Sequence, residues 1–239
     1  MVACADTPQA EAEGTDATTQ DLLSAASADA AAGSLPPGAP RAVGAQTRPQ
    51  TVDIAVMGVD RGSSDAPLRI VEFSDYGCGY CRKFHQETWP ALVKDFVGAG
   101  KVEWKFLPYV SGMFENSPTA TVAAECVLEQ GDDVFEGMNG RLWDEQRAWK
   151  GATDPQPVVR EMARASGADM AEYDACMAEG RRAWRVDAAT ELARQVGVRA
   201  TPTFFIVGFQ PIQGALPTDV FLQVVGAAYD EAVKAGGDR

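Results

Sequence analysis

The chain has 239 residues, of which 46% are hydrophobic, and its formal net charge is −13 at pH 7. This length is enough to bury one substantial core and a second, smaller lobe. The negative charge argues against nucleic acid or an anionic membrane surface as a partner, because like charges repel. Five cysteines are too few for a disulfide-dense scaffold, but they suit a redox protein in an oxidising compartment.

Residues 1–50 differ in composition from the rest of the chain. They are rich in Ala, Gly, Pro, Thr and acidic residues and contain no aromatic residue. Such a segment cannot bury enough apolar surface to offset its ordering entropy, so we expect a disordered tether. It holds no hydrophobic run long enough for a membrane span or a secretory signal.

The small residues before Cys4 and the polar tail after it resemble the end of a bacterial lipoprotein signal. This resemblance implies that Cys4 is a lipid anchor and that the residues after it form the tether. The alternative is an accidental cysteine in a disordered tail.

The folded part is predicted to begin near Thr51, with residues 52–56 as a short edge strand. Residues 68–73 are rich in β-branched and aromatic side chains and indicate a buried strand. A helix is predicted from Tyr80 onward, with a kink at a proline ten residues later. Residues 101–108 alternate charged with apolar side chains and predict a second strand. A strand–helix–strand unit of this size implies parallel pairing with a right-handed crossover.

Cys78 falls at the junction between the first of these strands and the helix, and Cys81 lies one turn further on. Unpaired N–H groups and the helix dipole stabilise an anion at a helix N-terminus, which can lower a thiol pKa from about 8.5 to about 3.5–7.5. The resulting thiolate is the nucleophile of thiol–disulfide exchange. The pattern therefore predicts a redox pair.

The same Cys-x-x-Cys spacing is also found in half of a zinc site. Zinc takes four ligands, usually from two such pairs. The rest of the chain offers three isolated cysteines and a single histidine, His85. We expect His85 to pack or to face solvent, so the sequence predicts no metal site.

The second half of the chain is predicted to be largely helical. Residues 116–183 contain four amphipathic segments, and a further helix is predicted over residues 183–195. The unbroken apolar run 203–207 predicts a buried strand, and residues 211–214 begin another. An amphipathic helix over residues 218–234 closes the chain.

Two segments resemble a known family. Residues 72–81, Glu-Phe-Ser-Asp-Tyr-Gly-Cys-Gly-Tyr-Cys, followed by Phe84 and His85, resemble the active-site segment of DsbA-like thiol–disulfide oxidoreductases of the thioredoxin superfamily. Residues 197–206, Gly-Val-Arg-Ala-Thr-Pro-Thr-Phe-Phe-Ile, resemble the family's second signature, a Thr-Pro with a cis peptide bond. Two signatures in the same order are far more specific than either alone.

The resemblance covers residues 51–235 and implies an α/β fold, namely a thioredoxin fold with an inserted helical domain. The thioredoxin-like domain would comprise residues 51–115 and 185–239. The helical domain would comprise residues 116–184 and interrupt it, as in the resembling family.

The resemblance also assigns catalytic roles. Cys78 would be the nucleophile and Cys81 the resolving thiol. Glu72 occupies the place of the family's buried acid beneath the disulfide, where burial would raise its pKa and let it exchange a proton with Cys81 through water. The alternative for Glu72 is a surface carboxylate at the edge of the sheet.

Substrate binding is assigned to Thr201, Pro202, Gly79 and Tyr80. The cis proline would leave the Thr201 backbone free to pair with an extended peptide; the alternative is a turn before a strand. The dipeptide Gly79-Tyr80 stands where strong oxidases of the family often have Pro-His. The direction of catalysis, oxidation or isomerisation, therefore stays open.

Cys126 and Cys176 occupy positions like those of a structural disulfide in some relatives. The alternative is that they are small buried hydrophobic residues. In an oxidising compartment we expect the disulfide.

The sequence thus predicts an extracytoplasmic thiol–disulfide oxidoreductase that needs no cofactor. Its partners would be reduced or misoxidised substrate proteins and a membrane redox partner for recycling. Two alternatives remain: a disulfide isomerase or reductase, and a redox-inert module that binds peptides.

Overall fold

The computed structural model describes residues 53–237. At its centre is a five-stranded mixed sheet with the strand order β1-β3-β2-β4-β5. The strands are β1 Val59–Arg61, β2 Leu68–Ser74, β3 Val102–Pro108, β4 Thr203–Ile206 and β5 Ile212–Gln213. Strands β2 and β3 are parallel, as the sequence predicted, and the other three pairs are antiparallel.

The edge strand differs from the prediction, which gave it to residues 52–56. Ile54–Val56 instead forms a 3₁₀ turn, because the side chain of Asp53 caps it by accepting a hydrogen bond from the backbone N–H of Ala55 at 2.9 Å. The strand beside β3 is Val59–Arg61.

A single helical segment follows β2, and it changes winding along its length. It runs through α1 Gly79–Lys83, the π-helical Phe84–Thr88, α2 Trp89–Leu92 and the π-helical Val93–Val97. The predicted irregularity at the proline takes the form of a widened turn. There the N–H of Trp89, directly before the proline, donates to the carbonyl of Phe84.

The remaining helices form the inserted lobe and the elements that return to the sheet. They are α3 Ser117–Leu128, α4 Asp132–Asp144, α5 Gln146–Lys150, α6 Gln156–Ala165, α7 Met170–Glu179, α8 Ala183–Gln195 and α9 Thr218–Gly237. The short α5 was not predicted, since five residues are too few to show a helical period. Within residues 53–237, no helix has the length and apolarity needed to cross a membrane.

The two faces of β2 contribute to two different cores. Leu68 and Ile70 belong to the larger core, which also contains the Cys-x-x-Cys pair and most of the helical lobe. Val71 and Phe73 belong to a smaller core together with Leu192 of α8. Strand alternation explains this division, and it makes the helical lobe continuous with the sheet beneath the cysteines.

One disulfide links two helices within the lobe, and one buried ion pair holds the lobe to the sheet domain. A disulfide joins Cys126 of α3 to Cys176 of α7. Glu125 of α3 accepts a hydrogen bond from Nε of Arg185 in α8 at 2.6 Å, and both side chains are buried. Arg185 also donates to the carbonyl of Gly58 at 3.1 Å. The lobe is therefore held to the sheet domain by paired, satisfied charges.

Candidate active site

The loop that leaves β2 is organised by Asp75, which is fully buried. Its Oδ1 accepts from the backbone N–H of Gly77 at 2.8 Å and from the hydroxyl of Ser117. Its Oδ2 accepts from the N–H and the hydroxyl of Ser111, both at 2.8 Å. The N-cap of α3 is Asn116, and the hydroxyl of Ser117, the first residue of that helix, links the helical lobe to this loop.

Helix α5 holds the same loop from the other side. Nε2 of Gln146 donates to the carbonyls of Tyr76 at 2.6 Å and Cys78 at 2.9 Å. Nζ of Lys150 donates to the carbonyl between them, that of Gly77, at 2.6 Å. Gln146 and Lys150 are four residues apart and therefore lie on one face of the helix. Two side chains thus fix three consecutive carbonyls around the cysteine.

The two glycines of the segment differ in what surrounds them. A Cβ on Gly77 would lie 2.4 Å from Cβ of Phe114, so only glycine fits against this ring. A Cβ on Gly79 would have no atom within 4 Å. Gly77 is therefore a packing requirement of the loop, and Gly79 is not.

Cys78 caps the N-terminus of α1 and is 5% exposed. In its thiol form, Sγ donates to the backbone carbonyl of Thr201 at 3.3 Å. The pKa of Cys78 is lowered from 9.0 to about 6, chiefly because the Cys81 thiol hydrogen-bonds to the thiolate, and this effect outweighs burial. The side chain of Thr201 and the N–H groups of Cys81 and Tyr80 also lower this pKa. Cys78 is consequently mostly a thiolate at pH 7.

The pKa of Cys81 is shifted in the opposite direction. This side chain is fully buried, and burial, followed by its hydrogen bond to Cys78, raises its pKa well above 9.0. Both thiols are free in this structure. One sulfur is therefore a ready nucleophile and leaving group, whereas the other stays protonated.

The four residues assigned to substrate binding lie on two segments. One segment follows Cys78 in the sequence, and the other contacts its sulfur. The Thr201–Pro202 peptide bond is cis. Oγ1 of Thr201 is buried, and its hydroxyl is the side-chain group of Thr201 that stabilises the Cys78 thiolate. Gly79 and Tyr80 directly follow Cys78, and Tyr80 is 67% exposed. The Cys78 sulfur thus contacts the segment before the cis proline, and an exposed aromatic side chain follows two residues later in the sequence.

Glu72 is fully buried on β2, so the alternative of a surface carboxylate is wrong. It accepts hydrogen bonds from Nε2 of His85 at 2.8 Å, from Nε1 of Trp104 at 3.1 Å and from the hydroxyl of Ser74. Burial alone would raise the pKa of Glu72, but the attraction and hydrogen bonds of His85, Ser74 and Arg61 outweigh it and lower that pKa. The predicted raised pKa is therefore wrong, because the sequence did not reveal these partners.

His85 packs in the core, one of the two expectations for it, and it also makes a hydrogen bond that was not expected. Its ring is stacked on Trp143 with centroids 4.4 Å apart and planes at 9°, and its Nε2 bonds to Glu72. The signal that could have found this pair is the spacing: His85 lies four residues after Cys81 and so on the same face of the helix.

Ser74 lies between the acid and the buried thiol. Its hydroxyl donates to Oε1 of Glu72, and its side chain also hydrogen-bonds to Cys81, where it lowers the pKa of the thiol. Cys81, Ser74, Glu72 and His85 thus form one chain of polar contacts beneath Cys78.

The predicted structural disulfide lies apart from this centre. The Cys126–Cys176 disulfide has a Cα–Cα distance of 5.8 Å and belongs to the helical lobe. Cys4, the predicted lipid anchor, lies outside the described residues.

Comparison with known proteins gives the family. The thioredoxin family model matches residues 55–217, well over half of the chain. Disulfide bond formation protein D of Bacillus subtilis (strain 168) is 27% identical over 148 residues, which is 61% of this chain and 65% of that relative. The chain thus spans less than two thirds of this relative's length.

Solved structures agree on the fold. The crystal structure of oxidised BdbD from Bacillus subtilis aligns with a TM-score of 0.64 at 23% identity and covers 72% of this chain and 92% of its own. The crystal structure of α-DsbA1 from Wolbachia pipientis aligns with a TM-score of 0.65 at 18% identity, over 76% and 97% of the two chains. The predicted thioredoxin fold with a helical insertion is confirmed.

Proposed function

This chain belongs to the thioredoxin family, and on that premise we propose that it is a thiol–disulfide oxidoreductase that introduces disulfides into substrate proteins through Cys78 and Cys81. The observation that carries the proposal is the asymmetry of the two thiols. The pKa of Cys78 is about 6, whereas that of Cys81 is raised well above 9.0. The name of the Bacillus subtilis relative, a disulfide bond formation protein, supports the same chemistry.

The reaction begins with the oxidised Cys78–Cys81 pair. A thiolate of the reduced substrate attacks Sγ of Cys78, and the electron pair of the broken S–S bond goes to Cys81, which takes up a proton. The second substrate thiolate then attacks the substrate sulfur of the mixed disulfide and expels the Cys78 thiolate. The substrate loses two electrons, and the pair gains them.

The direction of the exchange follows from which thiolate leaves more readily. A thiol of low pKa leaves readily, so the Cys78 thiolate is the better leaving group and the mixed disulfide collapses toward oxidised substrate. Stabilising the thiolate also stabilises the reduced pair, which makes its disulfide more oxidising. Tyr80 stands where the strongest oxidases of the resembling family have His, so we infer an oxidase of intermediate strength.

Glu72 is assigned the role of exchanging a proton with the Cys81 thiol. Its lowered pKa keeps it a carboxylate, so it accepts the proton when the Cys81 thiol ionises. To protonate the Cys81 thiolate, Glu72 must first receive a proton itself. Ser74, which contacts both groups, provides the connection.

The segment before the cis proline is assigned to the substrate. Thr201 lies against Cys78, so an extended peptide beside it would bring its own sulfur to Cys78. The exposed Tyr80 adds apolar contact area.

We further infer that the protein works outside the cytoplasm and is recycled by a membrane redox partner. The Cys126–Cys176 disulfide supports an oxidising compartment, since such bonds are rare in a reducing one. A lipid anchor at Cys4 is part of the same proposal.

Three assays with the purified protein separate the candidate activities. Oxidative refolding of reduced ribonuclease measures oxidase activity, refolding of scrambled ribonuclease measures isomerase activity, and insulin reduction measures reductase activity. We expect the first to be fastest and to be abolished in Cys78→Ser. Faster turnover of scrambled than of reduced ribonuclease would favour the isomerase. No activity in any assay, with retained binding of a thiol-blocked protein, would favour the peptide-binding module.

A further inference from the structure

The proposed reaction requires a proton at a site that water does not reach. Cys81 must gain a proton when the disulfide opens and lose one when it reforms. Cys81, Ser74 and Glu72 are each 0% exposed. A chain of buried groups can exchange protons with solvent only through a member that approaches the surface.

His85 is the member of this chain that does so. Its Nε2 bonds to Oε1 of Glu72 at 2.8 Å on one side. On the other side its ring lines a cleft of about 430 Å³ between the helical segment after Cys81 and helix α4. Its Nδ1 is buried and has no hydrogen-bond partner among residues 53–237. A buried polar nitrogen without a protein partner beside a cleft is a usual place for a bound water.

The walls of the cleft suit water and protons. Besides the stacked rings of His85 and Trp143, they include the carboxylates of Glu136 and Asp144 and the amide of Asn139. Such acceptors can hold water close to the imidazole.

We propose that His85 is a positioning residue that connects Cys81, through Glu72 and Ser74, with the water of this cleft and carries the proton of thiol–disulfide exchange. The inference rests on the proposed oxidoreductase function and adds a proton path to it.

Only sulfur atoms change oxidation state in this step, and every other transfer moves a proton. When the S–S bond breaks, the electron pair stays on Cys81, whose thiolate takes the proton of the Ser74 hydroxyl. Oε1 of Glu72, a carboxylate at the start, takes the proton on Nε2 of His85 and passes it to Ser74. Water in the cleft returns a proton to the imidazole. Reoxidation reverses each transfer.

Ionisable groups from three elements lie around the imidazole. Glu72 of β2 bonds to it directly, Arg61 of β1 lies close enough to act on Glu72, and Glu136 and Asp144 of α4 line the cleft. Arg61 is itself paired with Glu136 at 2.6 Å. Apart from Arg61, the ionisable groups around the imidazole are carboxylates.

The test compares His85→Gln with His85→Phe and with Gln86→Ala. Gln can still donate a hydrogen bond to Glu72 but cannot relay a proton, and Phe can do neither. Gln86 lines the same cleft without contacting Glu72, so its variant is the matched control. Stopped-flow mixing of each oxidised protein with a reduced dithiol peptide, over a range of pH, gives the rate of disulfide opening.

We expect His85→Gln and His85→Phe to open the disulfide about 10²-fold more slowly, the usual scale of general acid–base catalysis, and to lose a pH inflection that Gln86→Ala retains. Recovery of the rate in His85→Gln would show that the imidazole only holds Glu72 in place and would overturn the proposal. Wild-type rates in both variants would also overturn it and would indicate that Cys81 exchanges its proton through Cys78. An inactive wild-type protein would instead refute the oxidoreductase function itself.

A second measurement does not depend on the variants folding. The chain contains a single histidine, so the imidazole nitrogen signals in an NMR spectrum of the labelled wild-type protein need no assignment. We expect the titration of the imidazole to differ between the oxidised and the reduced protein, because its proton is coupled to that of Cys81. Identical titrations in the two states would contradict the relay.

Discussion

The lowered pKa of Cys78 predicts how the stability of the reduced protein depends on pH. The thiol has a folded-state pKa of about 6 against an ordinary value of 9.0. A depressed pKa stabilises the folded protein fully above the unfolded-state value, and this contribution is lost as pH falls through the folded-state value. The linkage relation then gives a gain of about 2.6 kcal/mol in the free energy of unfolding between pH 5 and pH 8.

Urea unfolding of the reduced wild-type protein and of Cys78→Ser at these two pH values isolates this contribution. The other titrating groups are common to both proteins. Among them Cys81, whose pKa is raised partly by Cys78, ionises only above this interval, so the difference between the two pH dependences is assigned to Cys78. The interval stops at pH 8 because ionisation of unfolded Cys81, whose folded-state pKa is raised, opposes the gain above that range. The oxidised wild-type protein is a second control, since its disulfide has no thiol to titrate.

We expect the reduced wild-type protein to gain about 2.6 kcal/mol over Cys78→Ser on going from pH 5 to pH 8. Equal pH dependences in the two proteins would mean that Cys78 has an ordinary pKa. The proposed asymmetry of the thiols would then be refuted.

Three further predictions concern the scaffold. Replacing both Cys126 and Cys176 by Ala should lower the free energy of unfolding by about 4 kcal/mol in the chain-entropy model for a loop of this length, with unchanged dithiol exchange; equal urea midpoints would contradict it. Gly77→Ala should cost about 1–3 kcal/mol and slow exchange because its Cβ would overlap a neighbouring side chain, whereas Gly79→Ala, with open space around the Cβ, should leave the free energy of unfolding unchanged. Lys150→Met should lower the free energy of unfolding by about 1 kcal/mol because the Gly77 carbonyl loses its donor, and a urea midpoint equal to wild type would show that this hydrogen bond contributes no stability.

The central architecture could be predicted from the sequence because its signals are local. The β2–helix–β3 unit follows from an apolar run, two glycines and a second alternating run. The edge strand could not be placed, since the side chain of Asp53 converts residues 54–56 into a turn. Helix α5 is too short to show a period, although Gln146 and Lys150 on it hold the active-site loop.

The site was predictable to the extent that it depends on position along the chain. A cysteine at a helix N-terminus is expected to have a lowered pKa, and Cys78 has one. The largest cause, however, is the hydrogen bond from Cys81, which needs the geometry of both thiols. The direction of the Glu72 shift depends on His85, whose approach across the gap between strand and helix is a matter of packing. The burial of Glu72 was therefore predicted correctly, and the direction of its pKa shift was not.

The reduction potential of the Cys78–Cys81 pair tests the central proposal most directly. It is measured by equilibrating the protein with glutathione buffers and separating the oxidised and reduced forms. For an oxidase of intermediate strength we expect a value between about −270 mV, the potential of a dithiol reductant, and about −120 mV, that of a strong oxidant. A value at or below about −270 mV would contradict the oxidase, because such a pair would reduce disulfides rather than form them.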